Sequence, residues 1–321
     1  MQNYIVKNMN KIFALFLVLN TLVINSYCYS KPTRGSSRNN FGPQLLLGLG
    51  GSTFLGDLGG KISLGTNDFT DYDLPSTRYV ISGGLRIPLS NTFAVRGILA
   101  YTRLHGDDKY TANTERRGRN LNFTSPLTEG SLTLEISPGK GSEYLRKFYF
   151  YGGVGIAFFN PYTIYNGNKV RLQPLGTEGQ NYLPNRQKYD LSATIFPFGL
   201  GYRIAAGRGI LSFELAMRRS TTDYIDDVST NFADPVLVSN NAPASDRNVA
   251  AAMADRSISS IPGFSSPGAI RGDPKNNDNY VFLMVYYHIP LNTKGNSGGF
   301  GGGGGKRRSG LFGGKRKCLE F

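Results

Sequence analysis

The sequence predicts an all-β protein, an eight-stranded antiparallel transmembrane β-barrel with long outer loops and a flexible C-terminal tail. Three observations predict it. The chain opens on an export signal: Lys7 and Lys11 precede an apolar run over 12–24, IFALFLVLNTLVI, followed by small and polar residues. Eight later stretches alternate apolar and polar residues with the period of a strand that has two unlike faces. The connections between them run strictly long, short, long, short, long, short, long. Outer-membrane barrels show that asymmetry, with short periplasmic turns and long outer loops. After the leader no run is apolar enough to cross a bilayer as a helix, which needs about 20 residues. Strands in hydrocarbon must close on themselves, because lipid satisfies no open sheet edge.

At 321 residues the chain is long enough for one large domain or two ordinary ones. We divide it into a cleaved leader (1–30), a barrel (31–290) and a Gly-rich basic tail (291–321). Cleavage after Cys28 or after Ser30 fits the pattern. A lipoprotein would acylate Cys28, but Tyr27 is bulky where such a signal wants a small residue. After cleavage only Cys318 remains, which excludes an intramolecular disulfide and a cysteine metal site. Of the net charge of +14, the leader carries two and the tail six, leaving +6 for the body. A basic tail on an exported chain points to lipid head groups or an acidic partner, not to nucleic acid.

In chain order, the first strand lies in PQLLLGLGGSTFLG (43–56), with Leu45, Leu47 and Leu49 on one face and Gln44, Gly48, Gly50 and Ser52 on the other. Its GLGGST lacks the GxGxxG spacing of a nucleotide loop. A polar loop (59–77) with Asp68, Asp71 and Asp73 leads to RYVISGGLRIPL, whose Tyr79, Ile81, Leu85 and Ile87 oppose Arg86. A tight turn at Ser90-Asn91 gives TFAVRGILAYTRL, with Phe93, Val95, Leu99 and Tyr101 opposite Arg96 and Thr102; the pair reads as a hairpin. After a loop over 105–127, TEGSLTLEISP sets Leu132, Leu134 and Ile136 outward and Glu129, Ser131, Thr133 and Glu135 inward. KFYFYGGVGIAFFNP then sets Phe148, Phe150, Val154, Ile156 and Phe158 against Gly153, Gly155 and Ala157. A third loop (162–188) precedes KYDLSATIFPFGLGYRIA. There Leu191 and Ile195 share a face with Phe198, Leu200, Tyr202 and Ile204 only if the parity changes, and Pro197 predicts a β-bulge at that point. GILSFELAMRR alternates without error, with Leu211, Phe213, Leu215 and Met217 opposite Ser212, Glu214, Ala216 and Arg218. The fourth loop (220–277) is the longest; 248–255 could form a turn or two of helix, and its Ser, Pro and Gly predict mobility beyond. YVFLMVYYHIP closes the set with Val281, Leu283, Val285, Tyr287 and Ile289 outward. An even strand number puts both termini in the periplasm.

On this register Arg86, Arg96, Arg203 and Arg218 enter the lumen with Glu129, Glu135 and Glu214. Eight strands leave room only for side chains, so these charges pair as a plug instead of lining a channel. Catalysis finds little support: the histidines are His105 and His288, and nothing in the sequence ties a serine to His288 as an esterase requires. The loop motif Thr222, Asp223, Tyr224, Asp226 and Asp227 reads as solvated carboxylates with no burial to separate their pKa values. It lacks the spacing of an EF-hand calcium loop. RGD at 271–273 reads as a turn more cheaply than as an adhesion tripeptide. We therefore expect no enzyme, metal or cofactor and no small-molecule substrate.

Six segments appear in an order that resembles a known family: GGSTFLGDLGG (50–60), RRGRNLNF (116–123), YGGVGIAFFNP (151–161), PLGTEGQ (174–180), FPFGLGYR (196–203) and TTDYIDDVST (221–230). They are similar to the PorG-like, DUF6089 outer-membrane barrels of Bacteroidota, tied to type IX secretion, and the likeness covers most of 41–290. It implies a non-enzymatic outer-membrane barrel that acts as an assembly or anchoring component and associates with the periplasmic PorK–PorN ring. The loop 233–277 and the tail depart from the resemblance. The tail's Lys306, Arg307, Arg308, Lys315, Arg316 and Lys317 are the expected contact with that ring or with outer-membrane lipid. The alternatives are a general OmpA/OmpX-like barrel for envelope integrity or adhesion, and an outer-membrane lipid-modifying enzyme that would depend on His288. The topology leaves a puzzle, since TDYIDD and PLGTEGQ fall at the outer rim while the implied partner is periplasmic.

Overall fold

The computed structural model of the chain describes residues 42–58, 76–111, 113–138, 142 and 144–291. The leader, most of the first outer loop and the basic tail lie outside the described residues. Ten strands are present: β1 (Gln44–Leu55), β2 (Arg78–Pro88), β3 (Phe93–Asp107), β4 (Asn122–Ile136), β5 (Phe148–Phe159), β6 (Tyr162–Tyr165), β7 (Asn168–Arg171), β8 (Ser192–Ala206), β9 (Gly209–Ser220) and β10 (Asn279–Pro290). Eight of them close a barrel, β1-β2-β3-β4-β5-β8-β9-β10, with β10 paired back onto β1 and every neighbour antiparallel. β6 and β7 form a hairpin in the third outer loop.

The two faces invert the pattern of a soluble protein. Leu49, Phe150 and Leu283 on the outside are about 60% exposed, while Arg96, Glu129 and Glu214 inside are almost wholly buried. Leu47, Ile81, Leu132, Leu134, Val154, Leu200, Phe213 and Leu215 extend the exposed apolar surface around the wall. A soluble monomer rarely leaves so much contiguous apolar area bare, and an outer-membrane barrel meets hydrocarbon with it. At the short ends, Leu89 and Ser90 amides close on the Phe93 carbonyl, and Gly207 takes the left-handed conformation that lets β8 return as β9.

Three expectations need correction. No bulge interrupts β8: its register to β9 is unbroken from Ile195 to Ala206, and its pairing with β5 keeps one register on either side of Pro197. Pro197 only lacks the donor for one rung, so Ile195 points inward and is fully buried, while Phe196, Phe198 and Leu200 face out. The second outer loop is shorter than 105–127, because β3 and β4 continue as a ladder to Asp107 and Asn122. The fourth loop carries two helices within 233–278, where the sequence predicts a turn or two only at 248–255. Helix α2 (Pro235–Asn241) starts where Asp234 accepts from the Val236 amide, and α3 (Arg247–Ala254) buries Ala250, Met253 and Ala254. With the short helix α1 (Thr114–Arg119), capped by the Asn113 side chain, these segments fold over the mouth at the long-loop end.

Candidate functional site, a filled lumen beneath a buried cap

The lumen holds the seven expected charges in three groups. Glu135 takes Arg86 at 2.6 Å and also Arg203. Glu214 takes Arg96 at 3.0 Å, and Glu129 takes Arg218 at 3.1 Å. Tyrosines complete the acceptors: Tyr149 donates its hydroxyl to Glu214, and Tyr280 donates to Glu129 at 2.6 Å. Aromatic faces cover the cations, with Arg203 3.8 Å from the Tyr149 ring, Arg218 3.8 Å from Phe282 and Arg96 4.6 Å from Tyr151. Every carboxylate here meets a guanidinium, and three of the four guanidiniums meet a ring while Arg86 donates to Gln44 instead, which is how charge survives in so dry a place.

The tyrosines were not foreseen as lumen fillers. The alternation that sends Phe148 and Phe150 outward puts Tyr149 and Tyr151 on the face of Gly153, but it does not show what they bond there. Glycine explains the fit. Tyr149 pairs across the ladder with Gly201, Tyr151 with Gly199, and Tyr286 with Gly48. A Cβ on Gly201 would lie 2.1 Å from the Tyr149 ring, and one on Gly48 would lie 2.5 Å from that of Tyr286. The small residues of the lumen face are thus the seats of its large ones.

A second correction concerns His288. At the short-turn end of the barrel its Nε2 lies 2.8 Å from the Ser212 hydroxyl, and its Nδ1 lies 3.1 Å from Gln44 Oε1. Gln44 Oε1 only accepts, so Nδ1 carries the proton and Nε2 accepts from Ser212. The order matches that of a nucleophile, base and orienting acceptor. Sequence separation hid it, since the three residues sit on β9, β10 and β1, which meet only when the barrel closes. All three are fully buried, so no lipid or ester reaches the hydroxyl, and the trio works as a strand-to-strand tie.

The cap draws on four of the loop motifs at once. Glu178 of PLGTEGQ accepts from the amides of Ser229 and Thr230 in TTDYIDDVST, and from Arg271 at 3.2 Å. Asp227 accepts from Thr177 and from the Tyr189 hydroxyl. Arg119 of RRGRNLNF bonds Asp108 at 3.1 Å and reaches the Asp57 carbonyl in GGSTFLGDLGG at 2.7 Å. Thr222 accepts from the Asp278 amide through its carbonyl, and Tyr224 stacks on Tyr189 with centroids 4.5 Å apart. The RGD segment is also spent in folding. Arg271 is buried, a Cβ on Gly272 would lie 2.4 Å from Asp57 Oδ2, and the Asp273 amide donates to that same oxygen.

The expectation of solvated carboxylates is overturned, because Asp223, Asp226 and Asp227 are buried. Among the described residues the cap buries seven carboxyl groups (Asp57, Asp108, Glu178, Asp223, Asp226, Asp227 and Asp278) against three guanidiniums (Arg116, Arg119 and Arg271), with Arg186 and Arg256 at its margin. Burial raises the six aspartates, and repulsion from other carboxyls adds to it at Asp57, Asp223, Asp226, Asp227 and Asp278. Asp57 and Asp227 are pushed up to about 6 and Asp223 to about 10, while Asp226 and Asp278 stand well above the carboxylate range. Asp226 Oδ2 and Asp278 Oδ1 have no hydrogen-bond partner. No group of three or more Asp, Glu, His or Cys among the described residues is set to hold a metal. A cavity of about 10 Å³ beside Leu58, Leu121, Asp226 and Met253 has the size of one water and admits no larger ligand.

No family model matches the chain, and no curated protein matches it. Among solved structures it is similar to Ail, the attachment invasion locus protein of Yersinia pestis, crystallised with the heparin analogue sucrose octasulfate. The identity is 10%, over 77% of this chain and 96% of that one, with a TM-score of 0.34. It is also similar to CarO2 of Acinetobacter baumannii, at 9% identity over 77% and 99% of the two chains, with a TM-score of 0.28. The barrel architecture here stands on its own closed ladder of strands.

Proposed function

We propose that this chain is an exported outer-membrane barrel of the PorG-like, DUF6089 kind, a non-enzymatic assembly or anchoring component of type IX secretion that associates with the periplasmic PorK–PorN ring. One observation carries the reading. The six segments of the resemblance are not scattered over the surface: four interlock in the cap, and the other two form adjoining barrel strands, β5 and β8. Segments that match a family by chance would have no reason to meet in space. The burial of TDYIDD and PLGTEGQ in the cap supports a ring contact made elsewhere, on the periplasmic side. There the tail, with Lys306, Arg307, Arg308, Lys315, Arg316 and Lys317, is the assigned contact. The test is a crosslinking pull-down of the tagged protein from outer membranes, with and without 295–321. Recovery of periplasmic ring proteins that falls on deletion of the tail supports the role; recovery of lipid and porins alone contradicts it.

A general OmpA/OmpX-like barrel is favoured by the filled lumen and by the spending of every motif on folding. Deleting the gene separates the two readings, because only the secretion component loses exported cargo. The Ser212–His288 contact is what a lipid-modifying enzyme would offer, but its burial weighs against that reading.

A further inference from the structure

We propose that the outward face of β2, β3 and the β6–β7 hairpin, just above the apolar belt, binds the phosphate of an anionic glycolipid head group. This rests on the reading of the chain as an outer-membrane barrel with its long loops outside. The placement follows from strand geometry. Phe93 marks the lower edge of the belt on β3. Ten residues further along a strand tilted by about 40°, Arg103 stands about 26 Å higher, at the top of an apolar band of about 25 Å.

What gathers at that height is specific. Arg103 is exposed and donates to the Tyr101 hydroxyl at 3.4 Å, with the phenols of Tyr79 and Tyr162 within its electrostatic reach. On the adjoining ladder Thr124 pairs with Tyr162, and Tyr162 with Arg171, so these side chains share the outward face. Lys169 is exposed and holds its ammonium 3.8 Å from the Tyr162 ring. Neither Arg103 nor Lys169 meets a carboxylate among the described residues. The carboxylate two rungs above on β3, Asp107, is already engaged by Lys109 at 2.9 Å. Tyrosines seat an amphipathic rim at a membrane interface, and two cations without acidic partners, set over those rings, attract an anion at the level where a head group lies. On the opposite flank Arg219 stands over Phe198 and serves as the control position.

The full-length protein would be inserted into phosphatidylcholine nanodiscs doped with phosphorylated lipid A or with its dephosphorylated form, and lipid retention read by native mass spectrometry. The wild type should retain the phosphorylated form preferentially. Each of Arg103→Gln and Lys169→Gln should reduce that preference about fivefold, as the attraction per cation near an anionic surface implies, and Arg219→Gln should leave it largely intact. Equal retention of the two lipids, or equal loss in all three variants, overturns the proposal. Heat-modifiable migration on gels reports insertion separately, so a chain that is not a membrane barrel fails that control and not the lipid comparison.

Discussion

Three glutamates and four arginines fill the lumen, whereas the cap above it buries seven carboxyls with three guanidiniums. The lumen solves its desolvation problem by pairing. Strand register places each glutamate against a fixed cation, and tyrosine hydroxyls take acceptor positions left over. In the cap, burial and repulsion between neighbouring carboxyls push Asp226 and Asp278 well above the carboxylate range, which favours their neutral forms. Rigid ladders set partners at fixed heights, while converging loops bring together whatever each motif carries. The two solutions respond differently to mutation and to pH.

The largest effect should come from unpairing the lumen. Glu135→Ala leaves Arg86 and Arg203 buried without their shared partner, and a broken buried pair costs about 3–5 kcal/mol. Urea unfolding in detergent micelles reads it; a loss under about 1 kcal/mol would mean that water reaches this end of the lumen. Next, Gly201→Val drives a side chain into the Tyr149 ring and pulls its hydroxyl from Glu214. Overpacking of that kind costs about 1–3 kcal/mol, and a shifted tyrosine environment by near-ultraviolet circular dichroism should accompany it.

In the cap the sign reverses. Each raised acid holds a proton in the folded state that the unfolded chain has already released, so stability declines as pH rises above about 4. Asp57 and Asp227 contribute their loss up to about pH 6, and Asp223 continues it toward about pH 10. Cap amides, corrected for intrinsic exchange, should therefore be better protected at pH 5 than at pH 8. Asp226→Asn should flatten that difference by roughly tenfold in protection, about 1.4 kcal/mol. A variant as pH-sensitive as the wild type would remove Asp226 from the account. The smallest effect belongs to Ser212→Ala, which removes one hydrogen bond to His288 at a cost of about 1 kcal/mol and should leave lipid turnover in reconstituted membranes unchanged.

Much of the wall was legible because a strand repeats every two residues. Leu132, Leu134 and Ile136 had to share one side, and Glu129, Thr133 and Glu135 the other. The parity that sends Phe148 and Phe150 outward also sends Tyr149 and Tyr151 inward; what was not legible is that each seats over a glycine of the facing strand, which depends on the cross-strand register. Pro197 misled because losing one donor resembles losing a register. The cap was hidden more deeply. TTDYIDDVST is acidic enough to read as solvated, and nothing local reveals that Arg119, Glu178 and Arg271, up to about 150 residues apart in sequence, converge to bury it. Ser212, His288 and Gln44 failed for the same reason, since barrel closure alone unites them.

The most direct test is hydrogen exchange of the membrane-inserted protein at pH 5, followed through peptides covering 174–180 and 221–231. The amides of Ile225, Val228, Ser229 and Thr230 donate to buried carboxyl groups, so they should exchange as slowly as amides of β9 and β10. Complete exchange within seconds would show an open rim carrying exposed acidic loops, and would contradict the buried cap.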